Sequence, residues 1–546
     1  MKVKNSLNII VLLVLCCLMM FRVNAQKAKQ TRNVYKAITQ SAFQHTINNR
    51  NKFIDPSLPR IPVPSVSKPM FSKPVLLKNS KDSVKSENGK EFHKLRIGLK
   101  ERQSKVLTVI YKKGKETNAV LAMANRFINY AKINSQSVDT TDFNVFPITS
   151  GQKQMAEYLE NELRFICQGK NVLITRSKDQ YVYVKIPSNI ANKKVPSLML
   201  MAHLDVTPEI IGGNVKPIIH EKYDGSEIKL PSGIVINPES PQGKHLKNCI
   251  GKTIITSDGS TLLGADDKAG VTILVGLLEE IVNNKKMKHG DIYLVFSQNE
   301  DVGRAADRFE AEYVGGNPDI VIDVDGCMAD RFSVENFTAS MFIYHFKGHE
   351  AHPGDGFVNK YGDALTSASY FIGNIPPVRH PSASKDKQGY IHCYSMVHPT
   401  DSTGKEISED YLVKVRLRYF DKNEGDTLRQ ILKNAKEVAA KAFPNVSIED
   451  GQEIVQYENI AYTMYPGVVE LIVKSAKNNG MTLIPCSERG GTTSAMMAAK
   501  GLRGGPCIYS GQQAAHSLYE WVCVEDMVKM VDVITDVVKN VSAMRK

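Results

Sequence analysis

Thr261-Leu-Leu-Gly-Ala-Asp-Asp-Lys-Ala-Gly270 sets two adjacent carboxylates, Asp266 and Asp267, between an apolar run and a helix-like segment, Val271–Val282. An acidic pair is ordinarily a solvated loop. What flanks this one changes the reading. Upstream, His203-Leu-Asp205 closes the apolar run Val195–Met201, and downstream Glu300-Asp301, Asp323-Val-Asp325 and His516 each follow a strand-like run. Carboxylates and imidazoles recurring at strand ends are the donor set that a two-zinc hydrolytic centre requires.

The same segments predict the architecture. Val120–Ala131 and Gly151–Phe165 carry apolar residues at helical spacing, and Val172–Thr175 and Tyr181–Ile186 alternate as strands do. Val195–Ala202 is continuously apolar, as a strand covered on both faces should be. Strand Ile254–Thr256, helix Val271–Val282 and strands Asp291–Ser297 and Asp319–Val324 continue the alternation. This is an α/β pattern: a mostly parallel central sheet flanked by helices, with its site at the carboxyl ends of the strands. Near Glu335 the character shifts. Thr338–Phe346 and Val413–Tyr419 read as antiparallel strands, with helices at Asp363–Ile372 and Asp426–Ala442, so residues 337–450 read as an inserted α+β domain. Residues 118–336 and 451–546 then form two parts of one catalytic domain, the second holding helices Pro466–Asn478 and Thr492–Lys500, strand Pro506–Ser510 and a long final helix, Val524–Ala543.

The 546 residues carry a net charge of +13, which would invite a nucleic-acid reading. Its distribution argues against one. Of 70 basic and 57 acidic residues, 24 and 6 fall in residues 1–117, leaving 46 and 51 for the rest, which is mildly acidic. Met1–Ala25 has a basic start, an apolar stretch and Val-Asn-Ala before Gln26, the pattern of a cleaved secretory leader; a retained membrane anchor is the competing reading. Residues 26–117 are Pro- and Lys-rich and read as a basic extension or linker. Export to the periplasm, cell surface or medium is the expectation, with no stable membrane span after cleavage. Of nine cysteines, seven follow the leader without CxxC spacing, which argues against a disulfide scaffold.

In a strand, side chains two apart share a face, so His203 could hold a metal while Asp205 steadies its ring. Asp266 could bridge two ions with its two oxygens; Asp325 and Asp301 could each complete one, and His516 the second. Glu300, beside a ligand, is then placed to act as general base on water. Each residue alone is a weak signal, but jointly they describe one chemistry.

From about residue 119 onward the chain resembles the peptidase T family, tripeptide aminopeptidases among the co-catalytic zinc exopeptidases. The resemblance rests on Ala202-His-Leu-Asp-Val-Thr-Pro208, Thr261–Gly270, His289-Gly-Asp-Ile292, Glu300-Asp-Val-Gly303, Val324-Asp-Gly326, Glu335-Asn-Phe337, Ala351-His-Pro-Gly354 and Arg489-Gly-Gly-Thr492, in that order. It implies a zinc-exopeptidase catalytic domain with an inserted lid, short peptides as substrates and a homodimer through the lid. It further implies two zinc ions, with cobalt or manganese as substitutes: His203, Asp266 and Asp325 for one; Asp266, Asp301 and His516 for the other. Glu300 matches the general base, Asp205 the residue orienting His203, and His352 a lid residue that steadies the oxyanion. Arg418, with Arg416 as its rival, Arg489, Gly490, Gly491 and the lid's Asn359 match substrate-binding positions. Three departures stand out: Asp301 where Glu is common, Thr493 where an Asp often follows Arg-Gly-Gly-Thr, and Ser517–Glu520 without the expected basic and His residues. Removal of an N-terminal residue from short peptides is the implied activity. Dipeptidase, carboxypeptidase and N-acyl amino acid deacylase remain alternatives on the same centre, and a non-catalytic peptide-binding protein is the remotest.

Overall fold

The computed structural model of the protein describes residues 116–140, 145–191, 194–401 and 404–545. The expected leader and the extension as far as residue 115 lie outside the described residues. Helices α1 (Glu116–Ala131) and α2 (Ser150–Ile166) lead into strands β1 (Leu173–Arg176), β2 (Val182–Ile186) and β3 (Leu198–His203). An irregular excursion carries the short strands β4 (Ile218–His220), β5 (Ile228–Lys229) and β6 (Val235–Ile236) and ends in β7 (Ile254–Thr256). Then come α3 (Ala265–Asn283), β8 (Ile292–Ser297), β9 (Ile320–Gly326) and β10 (Arg331–Asn336).

A second unit of structure follows, with β11 (Thr338–Lys347), α4 (Ala364–Gly373), β12 (Tyr390–Val397), β13 (Tyr411–Tyr419), α5 (Lys422–Ala442), β14 (Ser447–Asp450) and β15 (Ile454–Tyr457). The chain closes with α6 (Val468–Asn478), β16 (Ile484–Glu488), α7 (Thr493–Ala499), β17 (Cys507–Tyr509), β18 (Gln512–Gln513), β19 (Trp521–Cys523) and α8 (Val524–Ala543).

The main sheet has eight strands in the order β1-β2-β8-β3-β9-β17-β10-β16. Its four central strands, β8, β3, β9 and β17, are mutually parallel, while β1, β2 and the β10–β17 pairing are antiparallel. The apolar run of β3 is explained by its position between β8 and β9. Leu198, Leu200 and Ala202 pack with Ile292, Leu294 and Phe296 of β8 into the main core beneath α1, α2, α3, α6 and α8. Met199 and Met201 point the other way, with Tyr293 and Val295, into a second cluster that includes Met496 and Met497 of α7. Both faces are covered, so the strand shows no polar alternation.

The second unit is an antiparallel sheet, β12-β13-β11-β14, in which β15 also pairs with β11. Its strands therefore continue past residue 450 to Tyr457. Helices α4 and α5 cover one face, burying Phe346, Phe371, Val413, Val415, Leu417, Leu428 and Leu432. The amphipathic spacing of α5 (Leu428, Leu432, Ala435, Ala439 buried) is what one apolar stripe on a sheet requires. Among the described residues no helix is long and apolar enough to cross a membrane.

Helix α3 approaches β9 so closely that a Cβ on Gly270 would lie 2.0 Å from the Val324 carbonyl oxygen and 2.4 Å from Asp267 Oδ1. Gly276, one and a half turns on, would meet only side-chain atoms at 3.2 Å or more. Gly270→Ala should therefore cost about 1–3 kcal/mol as the backbone is pushed apart. Gly276→Ala should shift the denaturant midpoint less, and equal shifts for the two would contradict this packing.

Candidate active site

Five acidic side chains and two imidazoles converge at the carboxyl ends of the central strands. His203 ends β3 and is fully buried. Asp325 lies near the end of β9, and Asp266 lies at the strand-to-helix turn opening α3. That turn is built by Gly264, whose φ of +76° suits glycine, followed by Asp266 and Asp267, joined by a cis peptide bond and outside helical geometry. His516 sits in the loop between β18 and β19, itself at φ +56°, a conformation that a non-glycine residue holds only when its surroundings enforce it.

The geometry separates two donor sets. His203 Nε2 lies 2.9 Å from Asp266 Oδ1, 3.7 Å from Asp325 Oδ1 and 3.9 Å from Glu300 Oε2. His516 Nε2 lies 2.8 Å from Asp301 Oδ1 and 3.3 Å from Asp266 Oδ2. Each set has three donor atoms within 4.8 Å of one another, and Asp266 contributes one oxygen to each. Asp301 Oδ2 is buried without a hydrogen-bond partner. These residues fit a pair of divalent cations: an imidazole and two carboxylates for each, with one carboxylate shared.

Electrostatics point the same way. Burial resists charge on His203, but the Asp325 carboxylate and the contacts to Asp205 and Asp266 push its imidazole well above the ordinary range. Contacts to Asp266 and Asp301 push His516 up to about 11. Despite burial, Asp266 is held well below the usual carboxylate range by both imidazoles. Burial drives Glu300 well up, His203 opposing and Asp301, Asp266 and Asp205 assisting. Burial also raises Asp301 to about 6, with His516 opposing. Carboxylates outnumber the cationic groups that could neutralise them, an imbalance that divalent cations would resolve.

The supporting contacts extend the expected roles. Asp205 meets His203 Nδ1 chiefly through its backbone oxygen at 3.1 Å, its carboxylate lying at 3.5 Å. That carboxylate accepts from the Glu300 and Asp301 amides at 3.0 and 3.3 Å, so one residue steadies both halves of the site. Asp267 accepts from the His203 amide at 3.1 Å and the Gly270 amide at 3.0 Å, joining β3 to the start of α3. Buried Lys268 donates to the Ile133 carbonyl at 2.7 Å. Asp323 turns to the Ser494 amide at 2.9 Å and belongs to neither donor set.

Several sequence-predicted substrate residues are elsewhere. The carboxylates and His516 line a cavity of about 310 Å³, together with Gly491, Thr492, Arg331, Ser333, Glu488 and Tyr457. Gly491 is there because a Cβ would meet the Tyr457 ring at 2.8 Å. Gly490, its neighbour, does not line the cavity. Arg418 is buried over the Tyr457 ring and donates to the Leu417 carbonyl, and Arg416 lies over Tyr394. Arg489 donates to the Asp386 carbonyl at 2.6 Å and to Ser384 Oγ at 3.0 Å, and stacks over Phe337, so its fork is already engaged. His352 is exposed on the loop after β11, where its Nδ1 lies 4.0 Å from Asp355, and Asn359 is exposed on the same loop. Thr493 is fully buried with an unpartnered hydroxyl and does not face the cavity.

Two positioning residues carry no motif. Glu520, buried, accepts from the Leu263 and Gly264 amides at 2.7 Å each and from the Asp266 amide at 3.0 Å, clamping the turn that presents Asp266. Asn299, at φ +58°, aims Glu300, and it is held by Gln152, which also completes the capping box of α2. An isolated Glu in Ser517–Glu520 offers no pattern; Asn299 could have been found only as a residue that tolerates a left-handed backbone.

Residues 259–540 match the profile of peptidase family M20/M25/M40. The chain belongs to this family. A peptidase T of Clostridium perfringens is 32% identical over 418 residues, spanning 76% of this chain and 97% of that one. One of Shewanella sediminis is 31% identical over 421 residues, spanning 77% and 97%. Among solved structures, aminopeptidase PepT from Bacillus cereus superposes with a TM-score of 0.56 at 18% identity, covering 77% of this chain and 98% of that one. A dinuclear metal-binding M20 peptidase of Bacillus subtilis gives 0.52 at 10% identity, covering 78% and 99%. The M20 chain described here is thus a hydrolase of the metal-dependent exopeptidase class.

Glu520→Ala should release the turn and weaken cation retention by about 10–100-fold, the range for losing a residue that orients a ligand. Titrating the metal-loaded protein with a chelator measures this, and retention equal to wild type would contradict the clamp.

Proposed function

We propose that this M20 peptidase removes the N-terminal residue from short peptides, tripeptides foremost, using two zinc ions. The observation that carries the two-ion reading is Asp266, whose two oxygens address two different imidazoles. When bound, such ions polarise the scissile carbonyl and make water acidic enough to attack near neutral pH. Glu300, 3.9 Å from His203 Nε2 and held by the hydrogen bond its backbone N–H donates to the Asp205 carboxylate, takes the proton from the attacking water and returns it to the departing amine. Asp205 keeps His203 and Glu300 in register through its backbone oxygen and its carboxylate. Arg331 and Glu488, both in the cavity wall, give a short zwitterionic peptide opposite charges to meet. The short-peptide class draws support from the relatives named peptidase T and from a Staphylococcus aureus tripeptidase that superposes with a TM-score of 0.56 at 17% identity, covering 78% of this chain and 99% of that one.

We also assign the chain to an exported location, on the leader pattern of Met1–Ala25 alone; a mature protein beginning at Gln26 is the expected product, read by N-terminal analysis.

Glu300→Ala should lower turnover about 10²–10⁴-fold while cation content stays unchanged. Chelation should abolish activity and zinc should restore it. On a panel of free and N-acetylated di- and tripeptides, free tripeptides should lead; faster release from N-acetylated substrates would shift the reading to a deacylase. A Glu300→Ala variant with near wild-type turnover would sink the proton-transfer role.

A further inference from the structure

At the far end of the irregular excursion lies a second cluster of metal-type donors that the peptidase chemistry does not use. His245 and Cys249 lie at the 3₁₀ turn of residues 244–248 and just after it, four residues apart. Cys523 ends β19 and Asp526 lies in the first turn of α8, three residues apart. Ligand atoms of His245, Cys249 and Asp526 all lie within 4.8 Å of one another, and His245 Nε2 is 3.2 Å from Asp526 Oδ2. The Cys249 thiol donates to the His245 carbonyl at 3.5 Å, and Cys523 packs in the same small buried cluster as Cys249. Both cysteines are fully buried.

We propose that His245, Cys249 and Asp526, with the buried Cys523 of the same cluster turning in as the fourth donor, form a structural site for one borderline-soft divalent cation of the zinc type, separate from the catalytic pair. Two ligands come from each of two segments, through a His-x₃-Cys and a Cys-x₂-Asp spacing, the short paired spacings from which closed tetrahedral sites are built. The 3.2 Å separation between the imidazole nitrogen and the carboxylate oxygen is an ordinary edge for donors sharing an ion at about 2.0–2.2 Å. The surroundings already orient the donors. Lys252 donates to Asp526 Oδ1 at 2.7 Å, which leaves Oδ2 for the ion, and Tyr509 donates to Oδ2 at 3.1 Å. The Asn248 side-chain amide lies 3.3 Å from His245 Nδ1; with its oxygen turned inward it accepts from that nitrogen when Nε2 binds the ion. Trp521 stacks on the His245 ring at 6.0 Å between centroids, with the planes 12° apart. Binding converts two thiols to thiolates and passes their protons to solvent.

The location gives the site a purpose. Between β3 and β7 the chain forms only strands of two or three residues, with a small core made by Tyr223, Ile228, Leu230, Ile236, Leu246 and their neighbours. A cation would staple that excursion to β19 and α8, and β19 directly follows Glu520, the clamp of the catalytic turn.

Cobalt distinguishes this site from the catalytic one, because neither catalytic donor set contains a thiol. The full chain loaded with Co²⁺ should show a thiolate-to-cobalt charge-transfer band in the near ultraviolet. Cys249→Ser should lose the band and one equivalent of bound cobalt, whereas Asp266→Asn should keep the band. Should Cys249→Ser fail to fold, the wild-type protein still decides: Cys249 and Cys523 should resist alkylation until a chelator is added. Absence of the band in the wild-type chain, its survival in folded Cys249→Ser, or a Cys249–Cys523 disulfide in the isolated protein would each overturn the proposal.

Discussion

Asp266 is held with one oxygen 2.9 Å from His203 and the other 3.3 Å from His516, and much of the surrounding chain exists to keep it there. A buried carboxylate is tolerated only when its charge is met, and this one is met twice. The two imidazoles lie 313 residues apart in the sequence: His203 on the most apolar strand of the sheet, His516 in a loop in the last forty residues. Neither could satisfy both oxygens alone. The central parallel strands are thus required as much by the site as by the core, since only parallel neighbours deliver successive carboxyl ends to one edge.

Rigidity at that edge comes from backbone amides rather than side-chain pairs. Glu520 binds three amides of the turn before α3, Asp267 binds two, and Asp205 binds two at the Glu300–Asp301 loop. An amide cannot rotate away as a side chain can, so each carboxylate fixes a segment of main chain and the donors that follow from it. The left-handed conformations of Gly264 and Asn299 fall within or directly beside these segments. Their cost is borne because the amide contacts over-determine the loops, which is how a strained backbone persists at a functional edge.

Residue type and strand ends were enough to gather these side chains into one candidate donor set, because few other roles place His and Asp at the ends of buried strands. The α/β alternation was legible for the same reason: β3, β8 and β9 are apolar on both faces, and α8 runs over the very residues its periodicity marks, Val524–Ala543. What stayed hidden lacks such a pattern. Strands β10 and β16 are half polar, β16 lying at the sheet's edge and β10 next to it, and β12 exposes His392, Met396 and Val397. Glu520 acts through amides that no spacing reveals. Arg418, Arg489 and His352 were carried over by resemblance, and resemblance fixes a position without saying which partner takes the side chain: an aromatic ring and carbonyls claim the two arginines, and solvent claims the histidine.

The same logic bears on how a substrate is chosen. Thr493 stands where an Asp would be familiar, yet it is wholly buried behind the cavity wall, so the exchange alters packing under the site rather than the surface a peptide meets. Away from the donor sets, the charges in the cavity wall are Arg331, at the start of β10, and Glu488, at the end of β16; Glu488 accepts a hydrogen bond from Ser333. Parallel pairing brings Ser333 opposite Cys486 and Asn336 opposite Glu488, so the edge strand β16 and its neighbour β10 set the spacing of these charges as firmly as hydrogen bonds set a register. A cavity of about 310 Å³ is at the small end for ligand sites and leaves little room beyond a short chain. On the proposed function, a preference for short peptides would follow from the walls: fixed charges at a fixed separation, beside a metal-type cluster whose own geometry does not discriminate among amides.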